Sequence, residues 1–373
     1  MEYKHLKNIA QITMGQSPKS ETYNNKKEGL PFFQGNADFG EISPKVRIWC
    51  SVPKKVAHKN DILISVRAPI GALNIADTEC CIGLGLAAIS VRNIKDRDYI
   101  FNALKAKSEY LKNRGTGSTF KAINKNILED VEIPIVSTEK RDIEIKVLNK
   151  LNIVKKQKEK ELSKLDTLIK ARFVEMFGDI KNNKNYNYKL ISDLTNVVSG
   201  GTPKRDVKEY WDRGTIPWVK TTELKNNKVN STEEYITKTG LQNSSAKLVP
   251  SHTILIAMYG QGKTRGMTAY LEKEAATNQA CACILPCSKI NSEYLWQYLI
   301  MSYEELRNLA KGGNQPNLNS RMIKDFPILD PPIALQNKFV SFIHQVDKSK
   351  VVIQKSLDET QTLFDSLMQK YFS

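Results

Sequence analysis

The sequence contains few of the residues from which metal and redox sites are built. Its 373 residues include four histidines and six cysteines. No two cysteines have the Cys-x-x-Cys spacing of a zinc or redox motif, and no histidine stands at ligand spacing from any of them. We therefore predict no metal site and interpret the cysteines as buried free thiols in a reducing compartment.

Long hydrophobic runs are also missing. Apolar stretches such as Ile62–Val66 and Cys281–Pro286 are far shorter than the roughly 20 residues that cross a bilayer. The opening segment Met1–His5 is charged and no apolar run follows it, so no export signal is visible. We expect a cytoplasmic protein that has no membrane partner.

A recognisable catalytic set is missing as well. The histidines are scattered, there is no Gly-x-Ser-x-Gly elbow, and the carboxylates do not cluster at metal-like spacing. The sequence therefore predicts no catalytic residues and a protein that binds other molecules without being an enzyme.

Acidic residues are outnumbered by basic ones. The chain has 56 Lys and Arg against 40 Asp and Glu, a net charge of +16. Such an excess favours a polyanionic partner, because each phosphate neutralised by Lys or Arg releases counterions. The alternative is that part of this charge is ordinary solvated surface.

The main positive feature of the sequence is an internal repeat. Ile89 and Ile284 are 195 residues apart, as are Asn124 and Asn319. The chain therefore consists of two copies of one unit. The matching segments, with the first copy given first, are DILISVRAPIG and TILIAMYGQGKTRG, CIGLGLAAI and ATNQACACI, and GSTFKAIN and GGNQPNLN.

The segment TILIAMYGQGKTRG (residues 253–266) is similar to a nucleotide-binding loop. A P-loop requires Gly-x-x-x-x-Gly-Lys-Ser/Thr followed at once by a helix. Here Ala257 stands at the first glycine position, and the residues after Gly266 show no helical period. The first copy has no Lys-Thr pair at all. We therefore predict a strand–turn–strand hairpin in both copies and no nucleotide site.

A second motif, Asp330-Pro331-Pro332-Ile333, is similar to the Asp-Pro-Pro-Tyr box with which amino-methyltransferases hold a flipped base. The aromatic residue needed for stacking is missing, and no Gly-rich S-adenosylmethionine loop precedes the motif. We interpret it as a rigid segment that opens a helix.

Each copy ends in a long helical pattern, in which apolar residues are separated alternately by four and three positions. This is the spacing of a coiled-coil seam, and Lys155 and Lys350 are polar residues within it. Isolated helices of about 35 residues with this composition are marginal, so we expect them to pair within the chain, with dimerisation as the alternative. The predicted seam residues are Leu148, Leu151, Leu162, Leu165, Ile169, Ile343, Val346, Ile353, Leu357, Phe364 and Leu367.

The rest of the chain mixes short strand-like runs with modest helices, which predicts an α+β fold. DILISV, ALNIA and LAAISV are predicted strands, and residues 97–114 are a predicted helix. The predicted parts are a globular domain (1–136), a helix with a linker (137–186), a second globular domain (187–328) and a second helix (329–373).

This organisation resembles the specificity subunit of type I restriction–modification systems. The resemblance rests on the alternation of modules and helices, on GSTFKAIN and GGNQPNLN, and on LDTLIKARFVEMFGD (Leu165–Asp179). It implies that residues 1–136 and 187–328 are target-recognition domains, each reading one half of a bipartite, asymmetric DNA sequence. It also implies that the helices form an antiparallel intramolecular coiled coil, with the two copies related by a pseudo-twofold axis.

The resemblance further implies partners and cofactors. Two modification subunits that bind S-adenosylmethionine would methylate adenine, and a restriction subunit that uses ATP and Mg²⁺ would cut DNA. No cofactor is expected on this chain. Apolar residues near the helix ends are predicted either to pack on the neighbouring domain or to dock modification subunits; they are Phe173, Phe177, Leu367 and Phe372.

Loop residues with long polar side chains are the candidates for contact with double-stranded DNA. Arg and Lys can bond guanine edges and Asn and Gln adenine edges, while most basic contacts are with phosphate. The candidates in the first copy are Lys19, Gln34, Arg67, Arg114, Thr119, Lys121 and Lys125. Those in the second copy are Lys204, Lys220, Gln261, Lys263, Arg265, Gln315, Asn317 and Arg321.

Two other interpretations stay open. One is a non-catalytic coiled-coil scaffold that holds two protein-binding modules, which would show no steep salt dependence with duplex DNA. The other is an enzyme built on Lys263-Thr264, which would lose ATP turnover on Lys263→Ala substitution.

Overall fold

The computed structural model describes residues 2–117, 121–260, 262–310 and 316–372. The chain forms two compact units. Unit 1 consists of Met1–Lys160 with Gln354–Ser373, and unit 2 consists of Glu161–Ile353. None of the described helices combines the length and the apolar character that a membrane span requires.

In unit 1 the described strands form three sheets around short helices. The strands are β1 (Glu2–His5), β2 (Ala10–Met14), β3 (Tyr23–Asn24), β4 (Leu30–Phe33), β5 (Ile48–Cys50), β6 (Val56–Ala57), β7 (Ile62–Ser65), β8 (Leu73–Ile75), β9 (Cys80–Ile82), β10 (Leu86–Val91) and β11 (Glu132–Ile135). The helices are α1 (Leu6–Ile9), α2 (Ile94–Ala106), α3 (Ser108–Arg114), α4 (Lys125–Glu129) and the first part of α5 (Thr138–Phe177). The sheet orders are β1-β11, β2-β10-β7-β8 and β3-β5-β4-β9-β6.

In unit 2 the described strands also form three sheets. The strands are β12 (Tyr188–Leu190), β13 (Val197–Ser199), β14 (Ile216–Val219), β15 (Asn227–Val229), β16 (Glu234–Ile236), β17 (Ile254–Ala257), β18 (Thr268–Leu271), β19 (Ala276–Thr277), β20 (Cys281–Ile284) and β21 (Pro327–Leu329). The helices are α6 (Ile191–Leu194), α7 (Lys238–Gln242), α8 (Ser292–Met301), α9 (Tyr303–Asn308), α10 (Ser320–Lys324) and the first part of α11 (Ile333–Phe372). The sheet orders are β12-β21, β13-β20-β17-β18-β15 and β16-β14-β19.

The two units share the central part of their sheet topology, which confirms the internal repeat and the α+β fold. The order β2-β10-β7-β8 in unit 1 is repeated as β13-β20-β17-β18 in unit 2. The parallel pair of β4 with β9 in unit 1 is repeated as β14 with β19 in unit 2, where β15 and β18 form a second parallel pair. The segment of unit 2 that is similar to a nucleotide-binding loop belongs to an antiparallel hairpin, β17–β18, and its counterpart in unit 1 belongs to the hairpin β7–β8. The hairpin prediction is therefore confirmed.

The helix predicted over residues 97–114 differs in detail. It begins earlier, at Ile94, because the Asn93 side chain caps it by accepting a hydrogen bond from the Lys95 amide. It is then interrupted at Lys107, where α2 ends and α3 follows from Ser108. No glycine or proline marks this interruption, so the helical pattern alone did not reveal it.

Within unit 1 the start of α5 packs against the end of α11. Leu148 is buried in one apolar cluster with Phe364 and Met368. The Lys155 ammonium donates a hydrogen bond to Gln361 and lies 5.2 Å from the centre of the Phe364 ring. The polar position in the predicted seam is therefore satisfied by a partner on the other helix.

Within unit 2 the end of α5 packs against the start of α11. The Lys350 ammonium lies 2.7 Å from an Asp166 carboxylate oxygen, and the rings of Phe173 and Phe339 are 5.5 Å apart. As the residue number rises along α5 from 166 to 173, the number of its partner on α11 falls from 350 to 339. The two helices are therefore antiparallel and pair within one chain, as expected.

The predicted seam residues are most deeply buried toward the helix ends. There the apolar side chains of the globular part of each unit cover the helix pair. The buried members are Leu148, Ile169, Ile343, Val346 and Phe364, and the half-buried members are Leu151, Leu162, Leu165, Ile353, Leu357 and Leu367. The other apolar residues near the helix ends, Phe173, Phe177 and Phe372, are also buried in their own unit, so packing accounts for them and docking does not.

Truncation of Phe339 should destabilise unit 2. The ring is fully buried and packs on Phe173, Phe177 and Tyr294. We expect Phe339→Ala to lower the free energy of unfolding by about 3–5 kcal/mol, because it leaves a large cavity. Urea unfolding followed by tryptophan fluorescence measures this, since Trp211, Trp218 and Trp296 all belong to unit 2.

Val351→Ala is the matched control on the same helix. Val351 is 68% exposed, so its truncation should change stability by no more than about 0.5 kcal/mol. Equal losses in the two variants would contradict the packing described for α11.

Candidate nucleic-acid interface

The loops that follow strands β4, β7 and β9 lie together at one edge of unit 1. The Gly83 amide donates to Phe33 O at 2.8 Å, and the Val66 amide donates to Gly85 O at 2.9 Å. A Cβ on Gly85 would lie 2.5 Å from Gln34 O, so this close approach requires glycine. The loops after β4, β7 and β9 are thereby held side by side.

A loop from late in the unit joins this edge. The Ile123 amide donates to Val66 O at 2.9 Å, and Arg67 forms an antiparallel bridge with Ala122. Ile70 packs against Gly115, where an added Cβ would lie 2.6 Å from the Ile70 Cδ1 atom. The structure therefore brings the hairpin loop of unit 1 (residues 66–72) next to the segment that carries Lys121.

Unit 2 repeats this arrangement. The Leu318 amide donates to Met258 O at 3.0 Å, which is the counterpart of the Ile123–Val66 bond at an offset of 195 in residue 318. The Met258 amide donates to Ala280 O at 2.8 Å, and the Asn278 amide donates to Val219 O at 3.1 Å. The described residues of the hairpin loop of unit 2 (258–260 and 262–267) therefore lie beside the loops after β14 and β19.

The candidate DNA-contacting residues of unit 1 differ in whether their side chains already have a partner within the protein. Arg67 and Lys121 are exposed, and neither side chain has a hydrogen-bond or ion-pair partner in the described ranges. Their neighbours in the candidate set have intramolecular contacts. Lys19 pairs with Glu21 at 3.6 Å, Lys125 pairs with Glu129 at 3.3 Å, Arg114 lies 5.0 Å from the Tyr110 ring, and Gln34 accepts a hydrogen bond from Ser17 at 2.9 Å. Thr119 lies outside the described residues.

The candidates of unit 2 also separate into free and engaged side chains. Lys204 and Lys263 are exposed. Lys220 forms ion pairs with Glu233 at 2.8 Å and Glu234 at 2.9 Å, and the Arg265 guanidinium donates to Pro316 O. Asn317 is half-buried, and the side chain of Arg321 is 91% exposed with Asp325 at 3.6 Å. Gln261 and Gln315 lie outside the described residues.

Both units match one protein family. The type I restriction modification DNA specificity domain matches residues 1–168 and again residues 183–360. The chain belongs to this family. The two matches correspond to the two copies of the repeat.

Among curated relatives, the chain is similar to specificity subunits of type I restriction enzymes. It is 46% identical over 156 residues to a putative one from Methanocaldococcus jannaschii, which is 40% of this chain and 36% of that relative. This alignment therefore spans about a third of that relative's length. A second specificity subunit from the same organism is 24% identical, with 99% of this chain and 92% of that protein covered.

Solved structures give the same fold. The S subunit of a type I restriction–modification system from M. genitalium superposes with a TM-score of 0.57 at 15% identity, covering 100% of this chain and 96% of that one. A second solved chain comes from a structural study of complex assembly in the type I R-M system. It superposes with a TM-score of 0.65 at 14% identity, covering 100% of this chain and 97% of that one. At these identities the likeness concerns the fold.

The structure of this specificity-family chain also shows a basic residue that the sequence analysis missed. The Arg205 guanidinium lies 3.8 Å from the Trp211 ring centre and 4.7 Å from that of Trp218, and it pairs with Glu234. An arginine stacked on two aromatic rings holds its own loop in place, in addition to contributing a positive charge. The pairing could not be found from spacing, because Trp218 is 13 residues away and belongs to a buried strand.

Electrostatics around Glu234 keep this cluster ionised. Hydrogen bonds from Lys220 to Glu233 and Glu234 raise the pKa of the Lys220 ammonium. Burial acts to raise the pKa of Glu234, but hydrogen bonds from Lys220 and Arg205 outweigh it, so the pKa of this carboxyl is lowered. Lys220 is therefore charged but already neutralised locally.

The part of the chain that the structure describes holds no group of three or more His, Cys, Asp or Glu side chains that could bind a metal ion. The six cysteines are free thiols, and all but Cys287 are buried. Burial raises the pKa of Cys80 to about 12 and that of Cys283 to about 11. These thiols are therefore protonated and serve as small core residues.

Lys204 and Lys220 should differ in their effect on DNA binding. Removing a side chain that contacts a phosphate lowers the slope of log K against log salt by about 0.9. We expect Lys204→Ala to lower the slope by about this amount and Lys220→Ala to leave it unchanged, since Glu233 and Glu234 already hold the Lys220 ammonium. Fluorescence anisotropy with duplex DNA between 50 and about 200 mM salt measures both slopes. A reduced slope for Lys220→Ala alone would contradict this assignment.

Proposed function

We propose that this chain reads DNA sequence for a type I restriction–modification complex and performs no catalytic step itself. The observation that carries the proposal is an edge that occurs once in each unit, where loops lie side by side and present exposed basic side chains. Arg67 and Lys121 are such residues in unit 1, and Lys263 is such a residue in unit 2. Membership of the DNA specificity family supports the same function.

The differences between the two edges favour a bipartite, asymmetric target. The hairpin loop of unit 1 carries Arg67 in front of Pro69, whereas that of unit 2 is longer and carries Tyr259 and Lys263. Different side chains on equivalent loops would read different base edges in the major groove. The net charge of +16 would supply the phosphate contacts that set the register on the duplex.

The chemistry is proposed to reside in partners. Two modification subunits would bind S-adenosylmethionine and methylate adenine, and a restriction subunit using ATP and Mg²⁺ would cut DNA. We expect the purified chain alone to neither methylate nor cut a duplex that carries its target. Methyl transfer by the isolated chain in a tritium-incorporation assay would refute this division of labour.

A salt titration of DNA binding tests the function itself. We expect the chain to bind duplex DNA with an affinity that falls steeply between 50 and about 200 mM salt, because several Lys and Arg neutralise phosphates. It should also retain a preferred sequence in the presence of excess competitor DNA. A scaffold for two protein modules, the competing interpretation, predicts a shallow slope and no preferred sequence.

The length of the paired helices should set the gap between the two half-sites. Seven residues inserted in α5 after Lys160 and seven in α11 after Ile353 would lengthen both helices by about 10 Å, at about 1.5 Å per residue. This equals about three base pairs of duplex, and a whole heptad preserves the face that each helix presents.

The insertion should therefore lengthen the gap by about three base pairs and leave both half-site sequences unchanged. Sequencing of methylated adenines in cells that co-express the modification partner reads out both properties. A Val351→Ala variant with the normal helix lengths is the control and should keep the original gap. An unchanged gap after insertion would contradict the spacer role of the helices.

A further inference from the structure

We propose that Arg265 positions the hairpin loop of unit 2 without contacting DNA, and that it thereby presents Lys263 and Tyr259 as the sequence-reading side chains of this loop. The inference rests on the proposed function, because reading requires that the chain binds DNA. It changes the role expected for Arg265 from the sequence and adds Tyr259 to the reading set.

The contacts of the Arg265 side chain face the protein. The residue is half-buried, and its Nη1 atom donates a hydrogen bond to Pro316 O, which lies 51 positions away in the chain. Pro316 precedes Leu318, whose amide binds Met258 O at 3.0 Å at the start of the same hairpin loop. Both ends of the loop are therefore hydrogen-bonded to the segment Pro316–Leu318, one through the Arg265 side chain and the other through Met258 O.

Helix α9 holds the loop from the other side. The Tyr303 hydroxyl donates to Lys263 O at 2.7 Å, and Arg307 Nη1 donates to Arg265 O at 3.2 Å and to the Tyr303 hydroxyl at 3.0 Å. Gly266 has φ +84°, and a Cβ there would lie 3.2 Å from Arg307 Cγ. The backbone at Lys263 and Arg265 is therefore fixed against α9 by hydrogen bonds to the two carbonyl groups.

The side chains at the tip of the loop remain exposed while its backbone is held. Tyr259 is 43% exposed, Lys263 is exposed, and nothing lies within 4 Å of the position of a Cβ on Gly262. A fixed backbone that presents an exposed aromatic and a cation is suited to reading base edges, because less side-chain and loop ordering remains for the moment of binding.

The hairpin loop of unit 1 is held in place by different contacts. The bond from Ile123 N to Val66 O is the counterpart of that from Leu318 N to Met258 O. In place of an arginine clamp, the buried Ile70, 4% exposed, packs on Gly115. Arg67 is then exposed without a partner in the described ranges, so the arginines of the two hairpins have different roles: Arg67 is free to read, and Arg265 is occupied.

A double-substitution cycle on the full chain tests the proposal. The probe is a library of duplexes that carry randomised base pairs, from which the wild-type chain selects its target. We expect Lys263→Ala and Arg265→Ala each to weaken binding of the selected duplex by about 10-fold, the loss typical of one specific base contact. Because Arg265 acts through the loop that carries Lys263, the double variant should lie within about 2-fold of the weaker single variant.

The pattern of base preference supplies a second readout. Lys263→Ala and Arg265→Ala should relax preference in the same half-site, and Arg67→Ala, the matched control in unit 1, should relax only the other. Arg265→Lys should recover part of the preference, since a lysine can still donate one hydrogen bond to Pro316 O. Multiplicative losses of about 100-fold in the double variant would overturn the positioning role and make Arg265 a direct contact.

A milder substitution tests the same proposal if Arg265→Ala fails to fold. Tyr303→Phe keeps the ring and removes the hydroxyl that donates to Lys263 O and accepts a hydrogen bond from Arg307. It should fold, as checked by thermal unfolding, and relax the same half-site by about threefold; an unchanged preference would refute the inference. Failure of the wild-type chain to select any sequence would instead refute the proposed function, so the two failures are distinguishable.

Discussion

The fold depends on the pairing of two long helices that are far apart in sequence. Each helix has 40 residues, and one part of each helix belongs to unit 1 while the other part belongs to unit 2. A helix as polar as α5 is not stable alone, so it must bury its apolar stripe on α11. This burial is strongest where the globular parts add their own apolar side chains, around Leu148 in unit 1 and Ile169 in unit 2. Between these clusters, Lys155 and Lys350 have partners across the helix pair, which fixes the register.

The two copies have diverged in their cores as well as in their loops. Glu144 in unit 1 stands at the repeat position that Phe339 occupies in unit 2, at the same offset of 195 residues. Glu144 is 4% exposed with Lys140 at 4.0 Å, and burial raises the pKa of its carboxyl, an effect that Lys140 and Lys370 reduce. The aromatic cluster of unit 2 instead has the Phe339 ring at this position, packed on Phe173 and Tyr294. A carboxylate in place of that ring would have to be buried among aromatic side chains, which is costly unless a cation pairs with it.

Sequence reasoning was strongest where one local pattern determines the result. The repeat offset, the hairpins and the seam spacing each follow from periodicity, and the structure contains the corresponding elements. It was weakest where a residue's role depends on a partner from another element. Lys220 is held by carboxylates on the far side of a loop, and Arg265 by a carbonyl 51 positions away. Both were candidate DNA contacts because they are basic residues predicted to lie in loops, and a single sequence carries no sign of these pairings.

Unit 2 is made from one continuous stretch, Glu161–Ile353, whereas unit 1 needs Gln354–Ser373 in addition to Met1–Lys160. During synthesis on the ribosome, the first globular part emerges before the helical segment that completes its core. Phe372, which is fully buried against Tyr99, arrives only after all of unit 2 has been made. All residues of unit 2 are therefore made before unit 1 is complete, and until then the cluster around Leu148 lacks Phe364, Met368 and Phe372, the side chains that α11 contributes to it.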